Sequence, residues 1–162
     1  MDTILQEIEK ALNAKLYYLA VAMALTLPDI CAALASPDGE SSGPKYKDWY
    51  NANLAKQYSN ITDVDCWKLR CGVLHQGRCG HPQMQYDRII FTMPGHGIVH
   101  NNIMSKALNL DASVFCKDVI ATVRAWLKIN QNDSVIRANV QNLVKFRQNG
   151  LPPYIVGMPV IA

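Results

Sequence analysis

The run Leu16 to Leu27 carries no charged side chain and is apolar on nearly every face. A helix of that kind presents no side to water, so it belongs at the centre of a bundle. It continues from an amphipathic stretch in which Ile4, Ile8, Ala11 and Leu12 recur at helical spacing behind an N-terminal box of Thr3 and Gln6. One helix over residues 3–27 is expected, with an amphipathic first half and a central second half. Pro28-Asp29 is read as its end, because proline cannot donate to the helical ladder. That stops the apolar run well short of the ~20 residues a bilayer span requires, and no membrane segment is expected.

The elements after it are read from caps, breakers and periodicity. Asp29 caps a short helix to Leu34, and Ser36 to Pro44 is a dense loop signal. Pro44 suits the first turn of a helix over Lys45 to Gln57, with Trp49 and Leu54 toward the core and Tyr46, Tyr50 and Ala52 nearer the rim. Thr62, with Asp65 as its reciprocal acid, opens a fourth helix that Gly77 closes. Its buried stripe is Cys66, Leu69, Val73 and Leu74.

Beyond Arg78 the helical period is lost. Asp87 to Met93 reads as a strand, Pro94 to Gly97 as a turn and Ile98 to His100 as a second strand, giving a β-hairpin at about 86–101. Residues 101–110 fit either a third strand or a turn of helix. Asp111 caps a helix to about Asn130, with Val114, Phe115, Val119, Val123, Trp126 and Leu127 as its stripe. Asp133 or Ser134 opens a last helix ending at Gly150, burying Val135, Ile136, Val140, Leu143, Val144 and Phe146. The reading is a mostly all-α single domain over 1–150 with a hairpin insertion. An apolar, proline-containing tail over 151–162 packs on the body or on a partner.

Composition agrees with a packed domain: the chain has 162 residues, 49% of them apolar and 18% charged. A net charge of +3 permits a nucleic-acid partner without requiring one. Five cysteines, an odd number, behind an N-terminus that lacks the pattern of a secretory leader, point to reduced thiols and the cytoplasm.

The chemistry concentrates at the end of the fourth helix, in LRCGVLHQG. Arg70 supplies a permanent cation whose planar fork matches a phosphate, and His75 is a proton carrier near neutral pH. Five residues place them roughly 140° apart on an ideal helix, so the long arginine must reach past the helix end. Together they suit RNA cleavage through the RNA's own 2′-hydroxyl. The imidazole acts as acid or base and the guanidinium stabilises charge on the phosphorus oxygens, with no metal required. The plainer reading is a surface cation and a histidine that caps the helix. Lys68, Gln76 and Arg78 flank the pair as candidate substrate contacts.

LRCGVLHQG resembles the signature of the HEPN superfamily, in which an arginine is followed after four to six residues by a histidine near the end of a core helix. The resemblance implies a HEPN-like helical bundle and a metal-independent ribonuclease of toxin–antitoxin or defence type. It implies a homodimer whose two arginine–histidine pairs form one composite site, with Arg70 and His75 as the catalytic residues. RNA, a second copy and an antitoxin-like protein are the implied partners, and no cofactor is implied. Active members often carry asparagine or aspartate directly after the arginine, where this chain has Cys71. One toxin subgroup has a tyrosine where this chain has Gly77. Cys71 favours an alternative, a HEPN-like binding or scaffolding module.

A zinc-stabilised domain is a second alternative, since Cys66, Cys71, His75, Cys79 and His81 fall close together, although without the tight spacing of strong zinc motifs. His96 and His100 flank the expected hairpin turn as exposed imidazoles. Lys117, Arg124, Lys128, Arg137, Lys145 and Arg147 are scattered basic residues of the last two helices.

Overall fold

The computed structural model describes residues 1–162 apart from His96 and Ile98. Among the described residues about half are helical, in six helices accompanied by a few small strands. The apolar run does form the central helix, but its ends differ from expectation. Helix α1 covers Asp2–Asn13 and buries Ile4, Leu5, Ile8 and Leu12; it starts one residue before Thr3, which makes no cap. It stops where Lys15 adopts φ 60°. There the amide of Leu16 bonds the carbonyl of Ala11 and that of Lys15 bonds Leu12, a Schellman-type ending with lysine in the place glycine usually takes.

Helix α2, Tyr17–Leu34, then runs through Pro28 without a break, and the short helix expected from Asp29 is its last turns. Pro28 costs one ladder bond, and burial of the flanking Leu25 and Leu27 offsets it. This makes α2 long and apolar enough to cross a membrane by length and composition, with 56% of it buried inside the fold. It packs against α1 and against the four helices that follow.

Helix α3, Gly43–Asn53, begins at Ser42, whose hydroxyl accepts the amide of Lys45, with Pro44 in the first turn. Tyr46 and Tyr50 belong to the core rather than the rim. Each buries its ring and satisfies its hydroxyl on a carbonyl: Tyr46 on Leu25 at 3.2 Å and Tyr50 on Ile61 at 2.9 Å. Helix α4, Asp63–Gln76, has the expected capping box of Thr62 and Asp65, and Gly77 is left-handed at φ 62°. Leu74, expected in its buried stripe, is exposed.

Among the described residues, the strand expected from Asp87 finds its partner later in the chain. Strand β1, Arg88–Thr92, pairs in parallel with β3, Ala107–Asp111, which also pairs antiparallel with β2, Asn102–Met104. The order is β1-β3-β2, with Ile89 opposite Leu108 and both buried. A tight turn at Ser105-Lys106, both at positive φ, joins β2 to β3, and Pro94-Gly95 forms a turn as expected. The second strand expected over residues 98–100 begins outside the described residues, and Val99 and His100 are irregular.

Asp111 ends β3 and caps α5, Ala112–Ile129, by accepting the amide of Val114. Phe115, Val119 and Val123 are buried in α5 as expected, while Val114, Trp126 and Leu127 are half-buried. Helix α6, Ser134–Val140, is capped by Asp133 and is far shorter than the expected helix to Gly150. Its Asn139 donates to the carbonyls of Leu34 and Ser36 at the end of α2. Residues 145–162 then turn back as an antiparallel arm. In it β4, Phe146–Arg147, pairs with β7, Val160–Ile161, and β5, Gly150–Leu151, pairs with β6, Ile155–Val156. Val144 and Phe146, expected to be buried, are exposed.

Candidate functional site

The end of α4 is held by bonds on both sides. At its start Asp65, 1% exposed, accepts from the amide and hydroxyl of Thr62. The same carboxylate accepts the amide and side-chain nitrogen of Gln85, tying the loop after α4 back to its first turn. At its far end the amides of Gly77 and Arg78 both reach the carbonyl of Gly72. The returning chain passes so close that a Cβ on Gly72 would lie 2.7 Å from the carbonyl oxygen of Arg78. Gly72 therefore shapes the site, a role its place inside a helix conceals.

Arg70 and His75 do come together. Nη1 of Arg70 lies 3.2 Å from Nε2 of His75. Arginine can only donate, so in this contact Nε2 is the acceptor. On its other side Arg70 Nε is 2.7 Å from Oδ2 of Asp29, in a close ion pair whose N–H is not aimed along a hydrogen bond. The two side chains are 20% and 14% exposed, so the pair is only partly screened by solvent. Ser41 donates to the other carboxylate oxygen at 3.0 Å. The guanidinium carbon sits 5.1 Å from the ring centroid of Trp67, which packs edge-on against Tyr46. Cys71 Sγ is 3.9 Å from Arg70 Nη1.

Asp29, Ser41 and Trp67 are thus members of the site that the sequence did not mark. Asp29 reads as a helix cap because it follows proline, whereas α2 carries it in its interior on the side facing α4.

Of the flanking candidates, Lys68 is half-buried and Gln76 and Arg78 are exposed. Lys68 and Arg78 share a neighbourhood with His81. Partial desolvation, then the charges of these two, push the His81 imidazole below its ordinary value. A cavity of about 320 Å³ between α2 and β1 takes in Tyr18, Val73 and Phe91 but neither Arg70 nor His75. His75 is exposed at the helix end, and Arg70 reaches it from a half-buried position.

The zinc arrangement does not assemble: among the described residues no three His, Cys, Asp or Glu side chains converge. Cys66 faces the core at 3.2 Å from the Tyr46 hydroxyl, and burial pushes its thiol up to about 12. His81 turns its Nδ1 to the amide of Gln83. His100 is half-buried instead of exposed, accepts the amide of Asp111 and packs edge-on against Tyr58; His96 lies outside the described residues. Among the scattered basic residues, Arg124 is committed to a two-pronged ion pair with Glu9. No family model, no curated protein and no solved structure matches the chain.

Proposed function

We propose that the chain is a HEPN-type, metal-independent RNA endonuclease of toxin or defence type. It acts in the cytoplasm as a homodimer and is restrained by an antitoxin-like partner. The observation that carries this reading is the 3.2 Å approach of Arg70 Nη1 to His75 Nε2 at the exposed end of α4. An exposed imidazole backed by a half-buried cation suits a polymer passing across it better than a small molecule enclosed by it.

In the reaction, the 2′-oxygen of the RNA attacks the adjacent phosphorus as its proton passes to an imidazole. The 5′-oxygen leaves with a proton from a second imidazole, and a 2′,3′-cyclic phosphate remains. In the composite site that the resemblance implies, base and acid are the His75 side chains of the two copies. Arg70 moves its fork from His75 to the phosphoryl oxygens, which frees Nε2 to take the proton and neutralises the charge that builds there. Lys68, Gln76 and Arg78 hold neighbouring phosphates or the flanking base.

The test is incubation of mixed RNA in EDTA with wild type, Arg70→Ala and His75→Ala. Wild type cleaves at least ~100-fold faster than either variant, the range expected for loss of an acid–base group. Equal backgrounds in all three remove the nuclease reading.

A second reading is supported by the other side of Arg70. Its ion pair with Asp29 and its contact with Trp67 tie α4 to α2, as they would in an inactive HEPN-like module that binds or scaffolds. On that reading RNA is not cut and the arginine matters only to stability.

A further inference from the structure

The C-terminal arm has a composition its surroundings do not explain. From Gln148 to Ile161 it carries no charged side chain, while Tyr154, Val156 and Met158 near its tip are 81%, 72% and 57% exposed. A two-stranded ribbon is marginal in water by itself, and exposed strand edges are ordinarily protected by charge. This one has neither a third strand nor a lysine along its outer half.

The same molecule presents a matching surface. Between α1, α2 and the base of the arm lies an apolar groove of about 610 Å³, lined among others by Leu16, Leu19, Met23, Val144 and Phe146. Leu16 and Leu19 are about half exposed. The charges on its rim, Glu7 and Lys10, neutralise each other at 2.8 Å. A neutral groove and a neutral arm on one chain are complementary without any charge to oppose them.

We propose that the occupant of the groove is the arm tip of a second copy of this chain, in a closed two-fold dimer with two identical arm-in-groove contacts. Reach permits it: eight residue steps from Lys145 to Pro153 span ~25 Å at ~3.3 Å each, more than twice the separation of packed helices. The tip therefore extends beyond the groove that its own base lines. Area permits it as well: Leu16, Leu19, Phe146, Tyr154, Val156 and Met158 are each more than half exposed, large apolar side chains that a reciprocal contact would bury toward the ~800 Å² per partner of a stable interface. A reciprocal contact closes on itself and leaves no free arm to propagate a filament. The proposal rests on the homodimer of the nuclease reading and assigns the contact that holds it; its measurement reads association and not RNA cleavage, so its failure is distinguishable from failure of the nuclease reading.

The test is light scattering coupled to sizing on wild type, Val156→Asp in the arm, Leu19→Asp in the groove, and a one-to-one mixture of the two variants. Both substituted side chains are exposed in the single chain, and thermal melts check that each variant folds like wild type. Wild type is expected to be a dimer, and each variant a monomer with association at least 100-fold weaker. The mixture recovers dimer in part, more than either variant alone, because one of its two contacts then joins an intact arm to an intact groove. A monomeric wild type at 100-fold dilution range up to ~100 μM, well above the Kd of specific complexes, overturns the proposal. So does a dimer that survives either aspartate, an open-ended oligomer, or a mixture that recovers nothing.

Discussion

At the scale of the residue, Arg70 has two roles with different energetic signatures. Toward Asp29 it neutralises a carboxylate that is only 14% exposed; toward His75 it meets an exposed imidazole. Arg70→Ala leaves Asp29 with Ser41 alone, and the expected loss is about 1–3 kcal/mol. His75→Ala removes a surface ring and should stay within about 0.5 kcal/mol. Urea denaturation of the two variants separates the roles: a comparable loss in both would make the imidazole part of the framework. The meeting of Arg70 and His75 was open in the sequence, where the 140° offset argued against a shared face. Side-chain length overcame it. Asp29 was not legible as a partner, because an acid after proline carries the same signal as a helix cap.

At the scale of the element, α4 is the part of the fold most completely written in local sequence. Its capping box and left-handed glycine are satisfied within its own residues, so no distant contact was required to locate its ends. The two glycines of α4 and its cap nonetheless differ. A Cβ at Gly77 meets nothing within 4 Å, so Gly77→Ala costs only the left-handed conformation, about 1 kcal/mol. Gly72→Ala drives a methyl against the backbone of Arg78 and should cost more, about 1–3 kcal/mol despite alanine's better helix propensity. Thermal melts that reverse this order would show that the turn after α4 yields without strain. Elements whose ends depend on neighbours were misplaced: α1 ends at a lysine, α2 continues through a proline, and β1 pairs with a strand nineteen positions away.

At the scale of the whole molecule, the core holds its thiols and tyrosine hydroxyls in their neutral forms. Burial pushes the thiols of Cys66 and Cys116 up to about 12, and raises Cys31, Tyr46, Tyr50 and Tyr58 as well. The unfolded chain releases its thiol protons near pH ~8.5, so the folded state binds more protons above that value. Stability is complete below about pH 8.5 and falls as pH rises toward the folded values, by up to ~1.4 kcal/mol per pH unit for each such thiol. Urea midpoints at pH 7, 9 and 10 should decline; a flat series would mean the core admits the ionised groups. The same burial predicts that iodoacetamide labels the half-buried Cys71 and Cys79 in the native state, and Cys31, Cys66 and Cys116 only on unfolding. Intact mass reads the difference directly.

The sequence by itself determined that the apolar run lies at the centre, that α4 starts at Thr62 and stops at Gly77, and that α5 follows Asp111. Those outcomes depend on interactions within one turn or one helical face, which local residues specify. Only the tertiary structure decided the pairing of Arg70 with Asp29, the parallel β1–β3 ladder and the fold-back of residues 145–162. Each joins segments distant in the chain, where the gain comes from burying surface and satisfying polar groups together. No short stretch encodes that gain, because neither partner shows it until the other is in place.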